Sequence, residues 1–257
     1  MLIRHLSTRT DLSSISRFSV GEIGQPNFRV FLKQKGQVIS PWHDIKWGFD
    51  RASKELTVPF VCEIPAGKRE KMEVNLSQEF NPIAQDIKNG KLRSLPIDPK
   101  FNYGMIPRTF ENPLKPCHIT GHTGDGDPID VVDISSFGAA LEIGSVVPAR
   151  ILGSFCLIDN GEADWKVLVS RNETDTITQA LINDIFGFFQ NYKPESGNYI
   201  HADNKVFSAK DSVEILQAAS QYYTDLIEDS IQGPRNRPNS SSTTLNQYWV
   251  PLLHNTP

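Results

Sequence analysis

The first two thirds of the chain carry short apolar segments in which hydrophobic and polar residues alternate. Gly, Pro, Asn and Asp separate these segments at short intervals. Alternation with a period of two is typical of a strand with one buried face, and frequent turns favour an antiparallel barrel over a parallel sheet. The predicted strands occupy residues 29–33, 55–64, 71–75, 129–135, 145–159 and 165–170.

The hydrophobic period changes after Arg171. Apolar residues in 181–189, and again in 213–227, follow the spacing of one face of a helix. Ser208 and Asp211 form a capping start for the second helix. Because neither helix could bury its apolar face alone, we predict a mainly β fold with flanking α-helices packed outside the barrel.

Composition places the chain among ordinary globular proteins, with 39 % hydrophobic and 22 % charged residues over 257 positions. No apolar run reaches the length of a membrane span. The net charge of −4 argues against a nucleic-acid binder. The three cysteines, Cys62, Cys117 and Cys156, lack the spacing of a zinc or disulfide framework and suit a reducing compartment.

The N-terminus differs from the rest of the chain. Its first ten residues contain Arg4 and Arg9 and no carboxylate, a composition typical of a mitochondrial transit segment. We therefore predict the mitochondrial matrix, and the alternative is an ordinary flexible N-terminus on a cytoplasmic protein. The predicted organisation is a transit or flexible segment at 1–20, a main domain at 21–231, and a flexible linker with a docking C-terminal tail at 232–257.

An acidic turn with the sequence GDGDPIDVVD offers the most specific chemistry. Asp125, Asp127 and Asp130 lie within six residues and repel one another unless cations neutralise them. Their hard oxygen ligands select Mg²⁺, Mn²⁺ or Ca²⁺ over softer metals. The alternative is a solvated turn, which Asp-Gly sequences often form. A calcium loop of the EF-hand type is excluded, because Ile129 stands where that loop needs an oxygen ligand.

Further charged residues strengthen the metal hypothesis. Asp159 and Asp164 lie on a predicted hairpin turn, and Lys71 and Glu73 share one face of a predicted strand. Carboxylates that face cations and phenols suit a magnesium–phosphate substrate, because the carboxylates bind the metals while the other groups take phosphate oxygens. The cations and phenols available are Lys71, Arg93, Tyr103, Tyr192 and Lys193.

The stretch DGDPIDVVDI resembles the signature of the soluble family I inorganic pyrophosphatases in their eukaryotic, fungal-like form. The segments PWHDI, VCEIPAGKREKMEV, NPIAQDIKNGKLR, NYGMIPRTFENP, DNGEADWKVL and NYK resemble family segments in the family's order. The resemblance covers about residues 26–222. It implies a five-stranded OB-like closed barrel, and hydrolysis of inorganic diphosphate to two phosphates with several Mg²⁺ ions per site, for which Mn²⁺ is a substitute.

The resemblance also assigns roles to individual residues. It implies metal ligation by Asp125, Asp130 and Asp164, and it gives additional metals or their water to Asp159, Glu73 and Glu111. It implies that Asp127 contacts the attacking water and accepts a proton, and it places Tyr103 and Glu63 around the reacting groups. The diphosphate would be held by Arg93, Lys71, Tyr192 and Lys193. We expect a Mg²⁺-activated hydroxide to attack phosphorus directly, without a covalent intermediate.

Three departures from the family pattern bear on activity and assembly. Pro99 and Asn198 stand where the family usually has Tyr and Lys, and we expect them to weaken diphosphate binding without abolishing catalysis. Ala66-Gly67 replaces an Arg-Trp pair of the fungal dimer contact, so we expect a homodimer that lacks its usual anchor. The alternative hypothesis is a catalytically weakened homologue that binds metal or phosphate or acts as a scaffold.

Overall fold

The computed structural model of the chain describes residues 9–49, 56–135, 140–192, 197–232 and 247–250. Strands dominate these residues, which confirms the predicted mainly β class. The strands are β1 (Ile15–Val20), β2 (Arg29–Gln34), β3 (Gln37–Ile39), β4 (Thr57–Ile64), β5 (Met72–Val74), β6 (Ile83–Gln85), β7 (Ile87–Lys88), β8 (Lys91–Leu92), β9 (Asn102–Met105), β10 (Asp130–Asp133), β11 (Val146–Asp159), β12 (Glu162–Ser170), β13 (Tyr199–Ile200) and β14 (Phe207–Ser208). The helices are α1 (Gln179–Tyr192), α2 (His201–Asn204), which is a single turn with left-handed backbone angles at residues 202–204, and α3 (Ala209–Gln232).

Two sheets form the body of the molecule. The smaller sheet has the strand order β1-β2-β6-β5, with β3 added to β2, and the larger runs β12-β10-β9-β4-β11-β13. Strand β12 pairs with β10 on one side and with β11 on the other. Among the described strands the pairing is antiparallel, as predicted, except between β10 and β12, which run parallel because β11 reverses the chain between them.

Alternate residues of the central strands reach two different hydrophobic clusters, because side chains along a strand point to opposite faces. On β10, Val132 joins the cluster that contains Ile185 and Phe189 of α1. Its neighbour Val131 joins the cluster that contains Leu216 of α3. Both valines are fully buried. The two predicted helices therefore cover the apolar sheet, as their spacing indicated.

Helix α3 begins as the sequence predicts. The backbone N–H of Asp211 donates to Ser208 Oγ at 3.2 Å, and the N–H of Ser208 donates to Asp211 Oδ2 at 3.2 Å. This reciprocal pair satisfies backbone donors that the first helical turn leaves open. None of the described helices is long and apolar enough to cross a membrane.

The N-terminal segment enters the fold earlier than predicted. Residues Ile15–Val20 form β1 and pair with β2 along its whole length. This corrects our expectation of a flexible segment up to residue 20, because apolar residues such as Ile15 pack against the core. The transit role stays a prediction, and residues 1–8 lie outside the described part. Of the predicted docking tail, residues 247–250 are described, and they contact the body of the domain.

Candidate active site

A cleft of about 760 Å³ lies between β5 and the strands β9, β10 and β12. Every predicted site residue whose side chain is described lines it except Glu111, which lies just beneath. The lining residues among those predictions are Glu63, Lys71, Glu73, Arg93, Tyr103, Asp125, Asp127, Asp130, Asp159 and Asp164. Lys193 lies outside the described residues, and of Tyr192 only the backbone, at the end of α1, is described.

The acidic turn before β10 is fastened by its own backbone. The N–H of Gly126 donates to the carbonyl oxygen of Glu111 at 2.9 Å. The N–H of Glu111 donates to the carbonyl oxygen of Asp127 at 2.8 Å. Gly126 has φ +89°, a left-handed conformation that glycine adopts without strain. At Gly124 an added Cβ would lie 2.4 Å from the backbone of Glu111. The two glycines therefore let the turn carry Asp125 and Asp127 into the cleft.

Three carboxylates at the base of the cleft form a group suited to a cation. Ligand atoms of Glu111, Asp125 and Asp164 all lie within 4.8 Å of one another. Glu111 Oε1 accepts the N–H of Trp165 at 3.0 Å, whereas the buried Glu111 Oε2 has no hydrogen-bond partner among the described residues. Burial first, and then Asp125 and Asp164, raise the pKa of Glu111 well above its usual value. A hard divalent cation would satisfy this oxygen and offset the repulsion, so these residues fit such an ion.

Lys166 is a buried cation at the centre of the acidic wall. It is 2 % exposed, and its Nζ lies 2.7 Å from Asp130 and 2.8 Å from Asp164. It also donates to Tyr103 Oη at 2.8 Å, and the hydroxyl of Tyr103 donates to Asp130. Burial alone would lower the pKa of Lys166, but the two carboxylates outweigh it and raise the pKa. Lys166 is therefore charged, and it fixes both aspartates in place.

Two other carboxyl groups have raised pKa values. Asp127 reaches the solvent of the cleft, yet desolvation by the surrounding walls, followed by Glu73 and Asp130, raises its pKa to about 7. Glu63 is fully enclosed and accepts the N–H of Val74 at 2.6 Å. Burial and then Asp130 raise the pKa of Glu63 well above its usual value. Asp127 is thus able to exchange a proton near neutral pH, which suits general acid–base chemistry.

The opposite wall of the cleft is cationic and internally paired. Lys71 contacts Glu73 and lies 3.3 Å from Asp86, and Arg93 donates to the same Asp86 carboxylate. Burial alone would raise the pKa of Asp86, but Lys71 and Arg93 outweigh it and hold the pKa below its usual value. Asp86 therefore stays ionised and holds both cations toward the cleft.

Comparison with known proteins identifies this constellation. The family model for inorganic pyrophosphatase matches residues 60–224. The chain belongs to the inorganic pyrophosphatase family. It is 34 % identical over 262 residues to the inorganic pyrophosphatase of Encephalitozoon cuniculi, covering 94 % of this chain and 92 % of that protein. It is 35 % identical over 243 residues to the human inorganic pyrophosphatase, covering 85 % of this chain and 82 % of the human protein.

A solved structure of the family has the same fold. The crystal structure of type I inorganic pyrophosphatase from Toxoplasma gondii superposes with a TM-score of 0.76 at 36 % identity. The superposition covers 82 % of this chain and 99 % of the Toxoplasma gondii chain. The resemblance of the sequence to the soluble family I pyrophosphatases is confirmed.

Two of the positions that depart from the pyrophosphatase pattern contact each other. Pro99 is buried and lines the cleft, and its carbonyl oxygen accepts the N–H of Gly67 at 2.7 Å. Gly67 has φ +76°, so glycine suits this position, and the N–H of Ala66 donates to Asn102 Oδ1 at 3.0 Å. Asn198, the remaining departure, is half-buried beside β13, and within the described part of the chain neither of its side-chain polar atoms has a hydrogen-bond partner.

Sequence reasoning missed three residues of this pyrophosphatase cleft. Lys166 follows Asp164 by two positions, so the strand period could have placed both on one face. Asp86 stands opposite Arg93 across the β7–β8 hairpin, so the Asn89-Gly90 turn could have predicted that pair, whereas the approach of Lys71 from the segment before β5 carries no such signal. Tyr248 lines the cleft from the far end of the chain, and only its aromatic neighbourhood predicted that it docks.

Proposed function

We propose that this chain hydrolyses inorganic diphosphate to two phosphates. The observation that carries the proposal is one cleft in which the Glu111–Asp125–Asp164 group faces the cations Lys71 and Arg93. Diphosphate is a polyanion, so its binding requires cations on both sides. Membership of the inorganic pyrophosphatase family supports the same reaction, since the relatives carry that name.

Carboxylates of the cleft supply the ligands for divalent metal ions, which we propose to be Mg²⁺, with Mn²⁺ as a substitute. Glu111, Asp125 and Asp164 would hold the first ion, with Asp130 beside them. Asp159 and Glu73, farther along the cleft, would serve additional ions or their water. When bound, these ions supply charge neutralisation of the diphosphate and lower the pKa of water.

The protein's own groups position the reactants and move the proton. Asp127, with its pKa of about 7, orients the attacking water and accepts the proton that the water loses. The water oxygen forms a bond to one phosphorus while the bridging P–O bond breaks. Lys71 and Arg93, held by Asp86, bind the oxygens of the departing phosphate. No bond between protein and phosphorus is needed.

Three finer features belong to the same proposal. We infer a closed OB-like barrel of β12, β10, β9, β4 and β11, since β12 pairs with both β10 and β11. We propose a homodimer, to be tested by sedimentation, in which Ala66-Gly67 replaces the fungal anchor.

We propose a mitochondrial matrix location, with the cytoplasm as the alternative. A tagged full-length chain compared with one that begins at Ile15 tests this location and keeps β1 intact.

Phosphate release from diphosphate in Mg²⁺ is the direct test of the function. The wild-type chain should release phosphate from diphosphate and not from ATP. Asp127→Asn should lower kcat by about 10² to 10⁴, because it removes the proton acceptor. Asp184→Asn makes the same change at an exposed residue of α1 and should leave kcat unchanged. Absence of wild-type turnover would overturn the function, and full turnover in Asp127→Asn would overturn the role of Asp127.

A further inference from the structure

Residues 247–250, here called the C-terminal strap, lie against the acidic turn. The hydroxyl of Tyr248 donates to the carbonyl oxygen of Gly126 at 3.1 Å. Gly126 stands between Asp125 and Asp127, so this bond reaches the backbone that carries both carboxylates. The ring of Tyr248 packs edge-on against Phe110 at 5.5 Å between centroids and lies 5.8 Å from Trp42. Its hydroxyl is therefore directed by a well-packed aromatic ring.

The next residue of the strap is fastened to the opposite side of the cleft. The N–H of Trp249 donates to the carbonyl oxygen of Leu76 at 2.7 Å, and its ring lies 5.4 Å from that of Phe80. Leu76 follows β5, the strand that carries Glu73. The strap thus connects the segment behind Glu73 to the turn that carries Asp127.

A buried histidine holds the strap from below. His43 Nε2 lies 2.9 Å from the carbonyl oxygen of Trp249, and Nδ1 lies 2.8 Å from the hydroxyl of Tyr223. Since a carbonyl oxygen only accepts, Nε2 carries the hydrogen and Nδ1 accepts from Tyr223. Burial lowers the pKa of His43 to about 4, so this neutral tautomer persists at physiological pH.

The turn itself leaves no spare room at this contact. A Cβ added to Gly126 would lie 2.8 Å from Tyr248 Oη, which is closer than real Cβ contacts come. On its other side the turn is bonded to backbone groups of Glu111 and, at Gly124, to the carbonyl oxygen of Asn112. Within the described chain, the Tyr248 hydroxyl is the side-chain donor that fixes the Gly126 carbonyl. The strap therefore spans the acidic turn and the segment after β5.

We propose that the C-terminal strap sets the position of Asp127 relative to Glu73, and that Tyr248 is a positioning residue for Asp127 in diphosphate hydrolysis. The predicted effect on kcat rests on the proposed function. The predicted loosening of the turn rests on the contacts alone. A catalytic carboxylate must stay within hydrogen-bond reach of the reacting water, so a small displacement of the turn lowers the rate.

The test is Tyr248→Phe in the full chain, which removes the hydroxyl and keeps the ring packing. Tyr199→Phe is the matched control, because Tyr199 is exposed and does not line the cleft. We expect Tyr248→Phe to lower kcat about 3- to 10-fold, the effect of one lost hydrogen bond. KM should stay within about twofold, because the diphosphate-binding cations are untouched. A merely structural role would change the melting temperature and leave kcat per folded molecule unchanged.

A second measurement needs no turnover. Hydrogen exchange of a peptide covering 124–128 should be about threefold faster in Tyr248→Phe than in wild type or Tyr199→Phe, since the turn loses its bond to the strap. Unchanged exchange would contradict the positioning role of the strap, whether or not the protein is active. If the wild type lacks turnover, the proposed function fails, and the exchange result still decides whether the strap positions the turn. Equal kcat in an active wild type and Tyr248→Phe overturns the role of Tyr248.

A double substitution isolates the contact. Gly126→Ala alone should lower kcat strongly, because Cβ meets the hydroxyl and the left-handed φ is strained. In the Tyr248→Phe background the same substitution should cost less, because the clashing oxygen is gone. Strictly additive losses would contradict a direct contact between the strap and the turn.

Discussion

The two walls of the cleft balance their charges in different ways. The cationic wall neutralises itself: Lys71 and Arg93 share Asp86, whose pKa is lowered. The acidic wall is not neutralised in this way. Lys166 pairs with Asp130 and Asp164. Burial and repulsion raise the pKa values of Glu111 and Asp125. A wall with unmet negative charge requires a ligand cation, whereas a paired wall is ready for an anion.

The acidic wall is the part of the cleft where charge reduces stability. Like charges held together at a protein's active site reduce its stability until the ligand binds. Here that cost falls on the carboxylates around Lys166, and the cationic wall contributes little of it. Substitutions in the acidic wall should therefore change stability and metal response, and substitutions beside the cationic wall should change diphosphate binding.

The largest expected effect comes from removing the buried cation. Lys166→Met keeps the length of the side chain and leaves Asp130 and Asp164 unpaired in a desolvated site. We expect a loss of about 3–5 kcal/mol in the free energy of unfolding, because breaking a buried pair leaves an uncompensated charge. Urea denaturation in metal-free buffer measures it, and phosphate release from diphosphate should fall with it.

The matched control is Lys100→Met. Lys100 lies 3.2 Å from Asp184 in an exposed pair on the surface. Exposed pairs contribute about 0–1 kcal/mol, so this variant should unfold close to the wild type. If Lys166→Met cost no more than Lys100→Met, the acidic wall would not depend on its internal cation and the contrast between the walls would be lost.

An intermediate effect is expected from pH in the absence of metal. Folding raises the pKa of Asp164 to about 6 and that of Asp127 to about 7, each from 3.8. The folded state therefore binds these protons more tightly than the unfolded chain, so the stabilisation is present below pH 3.8 and is lost as the pH rises to about 7. The melting temperature in a chelator should be about 2–4 °C lower at pH 8 than at pH 5.

Saturating Mg²⁺ should remove this trend, because a ligand that binds only the folded state adds stability by mass action. Asp164→Asn should flatten the pH dependence in chelator, whereas Asp184→Asn, exposed on α1, should leave it unchanged. A melting temperature that rises between pH 5 and pH 8 without metal would show that the acidic wall is not strained by its own charge.

The smallest effect concerns the family positions that this chain changes. Pro99→Tyr should raise kcat/KM for diphosphate by about 2- to 5-fold, since Pro99 lines the cleft and tyrosine there restores a donor for phosphate oxygens, whereas Asn198→Lys, at a position that does not line the cleft, should give a smaller gain. Pro96→Tyr is the control, because Pro96 is exposed and does not line the cleft. No gain from either substitution would show that these departures are neutral.

Much of the fold followed from local patterns. The β-branched and apolar run of β11, the alternation in β12, and the Ser208–Asp211 cap of α3 all appear where the sequence predicts them. Such features depend on neighbours within a few residues, which periodicity and capping rules describe directly. The acidic turn was visible for the same reason, since Gly126 and three aspartates are close in sequence.

The parts that escaped prediction depend on distant partners. A lysine in a strand is usually solvent-exposed, so Lys166 became recognisable as a buried cation only beside Asp130 on the neighbouring strand. Residues 15–20 resembled the end of a flexible segment until β2 was seen to pair with them. Tyr248 acts on the cleft from a separate segment, and no local spacing connects it to the cleft.

The sequence by itself determined six of the described strands, the two longer helices, the acidic turn and the family of this chain, because short-range periodicity and contiguous motifs carry that information. The tertiary structure decided which charges are buried and with whom they pair. It decided that Asp86 serves two cations, that Lys166 lies among carboxylates, and that Tyr248 reaches Gly126 across 122 positions. These are long-range electrostatic and packing choices, and desolvation gives them their strength only once the chain has folded.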